Sequence, residues 1–315
     1  MADSNYLLEV RDLCQHFTSG RGGNKLLVKA VDGVSFCVKP AQTFGLVGES
    51  GCGKTTTGRT IIRLYNPTSG EIYFNGRNIA GKMTSELRKY LTDNIAMIFQ
   101  DPIESLNPRM TIEEIIGEGL RVRGMTDRAE VRRLVHEALN KVGLTEEHAT
   151  RYPHEFSGGQ RQRVGIARAM IIKPKMIIAD EPISALDVSI QAQVINLLND
   201  LKQEMGLTVL FIAHNLSVVK YFSDTIGVMY YGRLVEVANG DDLYEKPLHP
   251  YTRALLSAIP EPNPITERTR QRVDYDPERE HDYSAEHPSM TEVEKDHFVL
   301  CSPSELERYR KELGR

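Results

Sequence analysis

A chain of 315 residues has room for roughly two domains at ~150 residues each. Hydrophobic residues at 40%, charged residues at 26% and a net charge of −4 fit a soluble globular protein, and the acidic excess argues against a surface built to neutralise nucleic-acid phosphates. No apolar run reaches the ~18 residues of a membrane helix. Met1-Ala2-Asp3-Ser4-Asn5 lacks a secretory pattern, and the scattered Cys14, Cys37, Cys52 and Cys301 suggest reduced thiols in the cytoplasm rather than a zinc site or disulfide framework.

Residues 6–47 alternate in a β-like way, broken by the Gly-rich turn Ser19-Gly20-Arg21-Gly22-Gly23. Thr43-Phe44-Gly45-Leu46-Val47 is short, apolar and β-prone, so it reads as a buried strand. It runs into Gly48-Glu49-Ser50-Gly51-Cys52-Gly53-Lys54-Thr55, which fits the phosphate-loop pattern G-x-x-x-x-G-K-[ST] at every position. Residues 55–64 read as the helix that follows. The glycines let successive N–H groups turn toward one anion, and the helix adds its positive end. Lys54 is expected to reach the β/γ-phosphates and the Thr55 hydroxyl to sit on Mg²⁺. The loop by itself specifies only a bound nucleoside triphosphate, since kinases, helicases and GTPases carry it too.

Glu71-Ile72-Tyr73-Phe74, Asn75-Gly76 and Arg77-Asn78-Ile79 spell a hairpin with a type I′ turn, which suggests a small antiparallel subdomain beside a parallel core. From residue 111 to 143 the period turns helical. Val131, Leu134, Val135, Ala138, Leu139 and Val142 form one apolar stripe, with Asp127 and Glu130 as a capping pair and Gly143 as the stop. This block reads as an inserted helical subdomain.

Ser157-Gly158-Gly159-Gln160-Arg161 introduces a helix read over residues 162–173 and ended by Pro174. Ser157 is a natural N-cap, and the glycines expose N–H groups to an anion. Met176-Ile177-Ile178-Ala179 reads as a buried parallel strand, with Asp180 and Glu181 directly after it. In a phosphate-loop fold the first carboxylate sits beside Mg²⁺ and the second is placed to polarise the attacking water. A helix marked by Ile190, Val194, Leu197, Leu198 and Leu201, stopped by Gly206, leads to a second buried strand, Val209-Leu210-Phe211-Ile212-Ala213. A hairpin over residues 230–237 follows. Beyond Pro260, Pro262 and Pro264, residues 266–297 are charged and apolar-poor and read as a flexible or loosely packed extension, before Ser302-Pro303-Ser304-Glu305 starts a terminal helix.

Two anion-binding helix ends are more than one γ-phosphate in one chain needs, which points to a nucleotide held between two subunits. With these motifs in order, the sequence resembles ABC-transporter ATP-binding subunits over roughly residues 6–260. Phe156-Ser157-Gly158-Gly159-Gln160 resembles the signature motif with Phe in place of the usual Leu. Gln100 in Met97-Ile98-Phe99-Gln100-Asp101 fits the Q-loop, Ser184-Ala185-Leu186-Asp187 the D-loop, and His214 the switch histidine. The stretches around Ser157 and Ser184, with Pro247-Leu248-His249-Pro250-Tyr251-Thr252, are similar to the oligopeptide/dipeptide/nickel importer group, and to the second of its paired ATPases. Many relatives carry a tail cysteine cluster for an iron–sulfur centre; only Cys301 lies beyond the linker here, so none is expected.

The resemblance implies an α/β fold, with a P-loop NTPase (RecA-like) core, an antiparallel β-subdomain and an inserted helical subdomain at about residues 103–168. It implies a nucleotide-binding domain over 1–258 and a Pro-rich linker and extension over 259–315. By the same similarity, Phe17 stacks on adenine, with His16 as runner-up. Gly48, Glu49, Ser50, Gly51, Cys52, Gly53, Lys54, Thr55 and Thr56 hold the triphosphate of ATP. Thr55, Gln100 and Asp180 organise Mg²⁺, Glu181 is the general base, and His214 contacts the γ-phosphate. Ser157, Gly159 and Gln160 complete a neighbour's site across an interface that Asp187 lines, and residues 102–111 form part of a groove for a permease helix. The implied setting is the cytoplasmic face of the cell membrane, beside a paired ATPase, two permease subunits and an extracytoplasmic peptide-binding protein. Import of nickel chelates or glutathione is the alternative. A soluble ABC ATPase of DNA repair or translation would show coiled-coil insertions, zinc cysteines or a second cassette.

Overall fold

The computed structural model describes residues 5–20, 26–259, 272–284 and 286–314. Residues 21–25, most of the expected Gly-rich turn, and the three linker prolines lie outside them. The described strands are β1 (Leu8–Ser19), β2 (Leu26–Val38), β3 (Thr43–Val47), β4 (Ser69–Phe74), β5 (Arg77–Asn78), β6 (Ile95–Ile98), β7 (Met176–Asp180), β8 (Thr208–Ile212), β9 (Thr225–Tyr230), β10 (Arg233–Asn239), β11 (Ser289–Glu294) and β12 (His297–Cys301).

Eight of them form one sheet in the order β11-β12-β10-β9-β3-β8-β7-β6, in which β6, β7, β8, β3 and β9 run parallel. Every residue of β3, β6, β7 and β8 is buried, as expected of strands covered on both faces. Alternate side chains divide between two cores. Ile177, Ala179, Val209 and Phe211 join the core under the helical block, while Met176, Ile178, Leu210 and Ile212 join the one under the antiparallel sheet. That second sheet has the order β2-β1-β4-β5. Its β4–β5 turn places Asn75 and Gly76 at φ 49° and 74°, the double left-handed geometry of a type I′ hairpin.

The helical block consists of Ile112–Val122, Arg128–Lys141 and Gly158–Met170, packed on one another. Asp127 accepts from the Ala129 and Glu130 N–H groups, and Gly143 follows the second helix with φ 73°. The third helix starts four residues earlier than the expected 162–173 and ends three earlier. Ser157 and Gln160 cap each other reciprocally at its start, and Lys173 has already turned left-handed (φ 47°) before Pro174.

The extension corrects the expectation of a loose segment over residues 266–297, of which 266–271 and 285 lie outside the described residues. β12 pairs antiparallel with β10 (Glu236 with Val299, Val237 with Phe298), and β11 pairs with β12, so the tail hairpin continues the central sheet. Few apolar residues are needed because polar groups are buried in matched sets. The Glu236 carboxylate accepts from the Leu248 and His249 N–H groups and lies 2.8 Å from His297 Nε2, while Glu305 lies 2.5 Å from His281 Nδ1. Hydropathy scores those residues as solvent-facing; paired, they are core. The terminal helix Pro303–Glu312 carries the expected Ser302–Glu305 capping box.

Candidate active site

The register of the parallel strands gathers the sequence motifs. Leu46 and Asp180 both lie opposite Ile212, and Ile98 lies opposite Ala179, so the loops after β3, β6, β7 and β8 leave one edge of the sheet together. Such carboxyl-end edges are where open α/β sheets place ligands. A cleft of about 800 Å³ opens there, lined among others by Ser50, Lys54, Thr55, Gln100, Glu181 and His214.

Gly48 and Gly53 shape the loop. Both have positive φ, 149° and 110°, and a Cβ on either would collide with backbone oxygen, of Met229 and of Ala30 respectively. The helix Lys54–Ile61 begins at once. Lys54 is 4% exposed, and its ammonium donates to the Gly48 and Glu49 carbonyls at 2.8 Å each. The positive head is thereby held within the curl whose amides it would share with a phosphate. Cys52 is buried in the same curl, and burial pushes its thiol above the ordinary value against the opposing pull of Lys54.

Thr55 and Asp180 meet across the sheet edge, the Thr55 hydroxyl donating to Asp180 Oδ1 at 2.7 Å. Asp180 is fully buried. Its carboxyl is shifted upward by burial, an effect opposed by the Thr55 hydrogen bond and by Arg59, whose guanidinium lies 3.9 Å from Oδ2. Oδ2 is a buried oxygen with no hydrogen-bond partner. A hydroxyl beside a carboxylate with a free buried oxygen is a hard-oxygen set suited to Mg²⁺ and its waters.

Glu181 has φ 43°, a left-handed geometry that a side chain adopts at a cost of order 1–3 kcal/mol and that recurs at functional sites. Its N–H is anchored to the Ile212 carbonyl at 2.9 Å. The turn aims the carboxylate into the cleft, where Oε2 accepts from Gln100 Nε2 at 3.1 Å and lies 3.2 Å from His214 Nδ1. One oxygen thus gathers groups from the ends of β6, β7 and β8. Gln100, expected beside Mg²⁺, is bonded here to Glu181.

Ser157, Gly159 and Gln160 are not among the residues lining this cleft. They open the helix Gly158–Met170, where Gly159 packs against Ile190 of the helix Val188–Met205, whose N-cap is Asp187. The helix start expected to be a second anion-binding end therefore lies outside the lining of the chain's own cleft. Phe17 is 36% exposed on β1 with its ring edge-on to Tyr65 at 5.3 Å, while His16 lies 3.4 Å from Asp32. An exposed ring suits stacking; the His16 ring is already engaged. Cys14 approaches His16 and Asp32 closely, but the Arg233 guanidinium already binds the Asp32 carboxylate at 2.9 Å.

Sequence reasoning missed Arg59, Ala30, Asp101 and Tyr251. Ala30 and Asp101 line the cleft, and the Tyr251 hydroxyl accepts from the Glu49 N–H of the loop at 3.1 Å. An arginine one helical turn after Thr55 was a readable signal for Arg59. Tyr251 was quoted only as part of a family motif.

Comparison with known proteins agrees with this geometry. Residues 31–184 match the family model described as ABC transporter, and residues 235–284 match that of the oligopeptide/dipeptide transporter C-terminal region. The chain is 57% identical to the oligopeptide transport ATP-binding protein OppF of Bacillus subtilis, over 96% of this chain and 98% of that one. It is 50% identical to the dipeptide transport ATP-binding protein DppF of Lactococcus lactis, over 99% of both. Among solved structures it resembles a dimeric ATP-binding cassette in a post-hydrolysis state bound to ADP and Pi, with 30% identity and TM-score 0.66, covering 74% of this chain and 98% of that one.

Proposed function

The chain belongs to the ATP-binding subunits of ABC transporters, in the oligopeptide and dipeptide group, and from that premise we propose how its residues divide the work. The protein is an ATPase whose turnover powers peptide import. We take residues 1–258 as the nucleotide-binding domain and 259–315 as the extension.

The backbone from Gly48 to Thr56, including Glu49, Ser50, Gly51, Cys52 and Gly53, wraps the triphosphate, with Lys54 neutralising the β/γ oxygens and Phe17 stacking on adenine. Thr55, Asp180 and Gln100 hold Mg²⁺ and its waters, and the ion when bound supplies positive charge against the phosphate oxygens. Glu181 takes the proton of the attacking water as that oxygen bonds to the γ-phosphorus and ADP leaves. Gln100 and His214, both now on the Glu181 carboxylate, are the groups that exchange that partner for the γ-phosphate and its water. The single observation carrying this reading is that shared carboxylate, aimed into the cleft from a left-handed residue.

Ser157, Gly159 and Gln160 serve the cleft of an opposing ATPase, with Asp187 on the same interface. Their absence from the lining of the chain's own cleft supports this, as does the dimeric state of the solved cassette it resembles. Closure on two ATPs and reopening after hydrolysis then move the helical block, which leaves the core just after Gln100, against a permease partner at residues 102–111. The full assembly is a second ATPase, a heterodimer being our reading, two permease subunits and an extracytoplasmic peptide-binding protein. The subunit sits peripherally at the cytoplasmic membrane face; no helix among the described residues is long and apolar enough to cross a bilayer.

The test is the concentration dependence of turnover for this chain alone and mixed with its paired ATPase. Hydrolysis per subunit is expected to rise with concentration and with the partner, and the chain to co-fractionate with permease in membranes. Full turnover by a monomer too dilute to associate would overturn the shared-site reading.

A further inference from the structure

The segment Leu248 to Tyr251 is held from both sides. The buried Glu236 carboxylate takes the N–H groups of Leu248 at 2.8 Å and His249 at 3.0 Å, and the extension's His297 closes on the same carboxylate at 2.8 Å. His249 caps the helix Pro250–Ser257 by accepting the Tyr251 N–H on Nδ1 at 3.1 Å. The Tyr251 ring, 2% exposed, packs between Tyr230 (centroids 4.4 Å apart) and Tyr275 of the extension (5.4 Å). So fixed, its hydroxyl takes the Glu49 N–H. The carbonyl of that same Glu49 restrains Lys54.

We propose that Tyr251 is a positioning residue for the phosphate loop, and that the docked extension, through His297 and Tyr275, sets nucleotide affinity by holding Tyr251 in place. The Gly48–Glu49 peptide gives its N–H to Tyr251 and its carbonyl, that of Gly48, to the Lys54 ammonium, so this rim peptide has one orientation with both bonds made. Burial pushes the Tyr251 phenol upward, which keeps it a neutral hydroxyl across the working pH range. The extension, none of whose described residues lines the cleft, thereby acquires a path to ATP five residues long: His297, Glu236, His249, Tyr251, Glu49. The loop grips the triphosphate alike before and during reaction, so loosening it weakens binding while sparing the chemical step.

This inference rests on the phosphate-loop reading, and the two fail differently. If wild type binds no ATP, the reading itself falls. The experiment uses the full chain with its paired ATPase, a fluorescent ATP analogue with Mg²⁺ for affinity, and steady-state hydrolysis for KM and kcat. Tyr251→Phe removes one hydrogen bond and keeps the ring. It is expected to raise Kd and KM about 2- to 10-fold, with kcat within about 2-fold of wild type. His297→Gln, or Tyr275→Leu if the first does not fold, is expected to raise Kd likewise in wild type and to add nothing in the Tyr251→Phe background. Unchanged affinity in Tyr251→Phe, or a fall in kcat alone, would overturn the positioning role. Fully additive effects in the double variant would overturn the route from the extension.

Discussion

The amide of Gln100 and the carboxylate of Glu181 are joined at 3.1 Å, although one follows β6 and the other follows β7. The bond links the residue where the helical block departs to the residue proposed as general base. Anything that draws Glu181 toward a water therefore releases the amide at the root of the block. In the proposed mechanism, chemistry and motion share one hydrogen bond.

Glu181→Gln is the direct check on that coupling. General-base help is worth ~10²–10⁴-fold, or ~3–5 kcal/mol. Turnover is expected to fall by that factor while ATP still binds, read by phosphate release alongside equilibrium binding. Activity above about a tenth of wild type would assign the proton to another group.

Much of this site was legible because its parts are local. The phosphate loop, the carboxylates after β7 and the Ser157 cap each need only a few consecutive residues, and strands buried on both faces show as unbroken apolar runs. The tail hairpin was not legible. Its small apolar cluster of Leu248, Val293, Val299, Cys301 and Tyr309 is joined by the buried polar pairs Glu236–His297 and His281–Glu305, whose burial depends on partners up to 61 residues away. No local window contains such a pair. Tyr251 escaped for the same reason: it reaches Glu49 across 202 residues.

Cys52 offers a chemical probe of the loop. Burial raises its thiol above the ordinary value, with Lys54 pulling the other way, so alkylation is expected to be slow at neutral pH and to quicken in alkali. Once attached, a bulky maleimide fills the curl meant for phosphate. ATP should protect the thiol, and labelled protein should lose nucleotide binding, both measurable by mass spectrometry and titration. Retained ATP affinity after confirmed Cys52 labelling would contradict this placement.

Asp180 shows function opposing stability. Its carboxyl is raised by burial, so the folded protein holds that proton more tightly than the unfolded chain, and at neutral pH the ionised group disfavours folding. The handicap shrinks as pH falls through the raised value. Asp180→Asn keeps an acceptor for Thr55 and removes the charge. It should raise the melting temperature at pH 7 while lowering Mg²⁺-dependent turnover by about 10²-fold or more. A lower melting temperature would mean that the Thr55 and Arg59 contacts outweigh the desolvation.

His249 sets an acid limit. Burial, reinforced by the nearby His281 and Arg253, depresses its imidazole from 6.5 to about 3, and the neutral Nδ1 accepts the Tyr251 N–H. Above pH 6.5 both folded and unfolded chains leave this ring neutral, and it has no effect on the pH slope. Below that, the unfolded chain takes a proton that the native state refuses, so stability drops by roughly 1.4 kcal/mol per pH unit until the folded group titrates. His249→Asn retains a side-chain oxygen for the helix cap and cannot titrate. Urea unfolding from pH 7 down to about 4 should therefore show a shallower acid slope in the variant. An identical slope would show that His249 takes its proton within the fold, and that the cap on Tyr251 survives without a neutral ring.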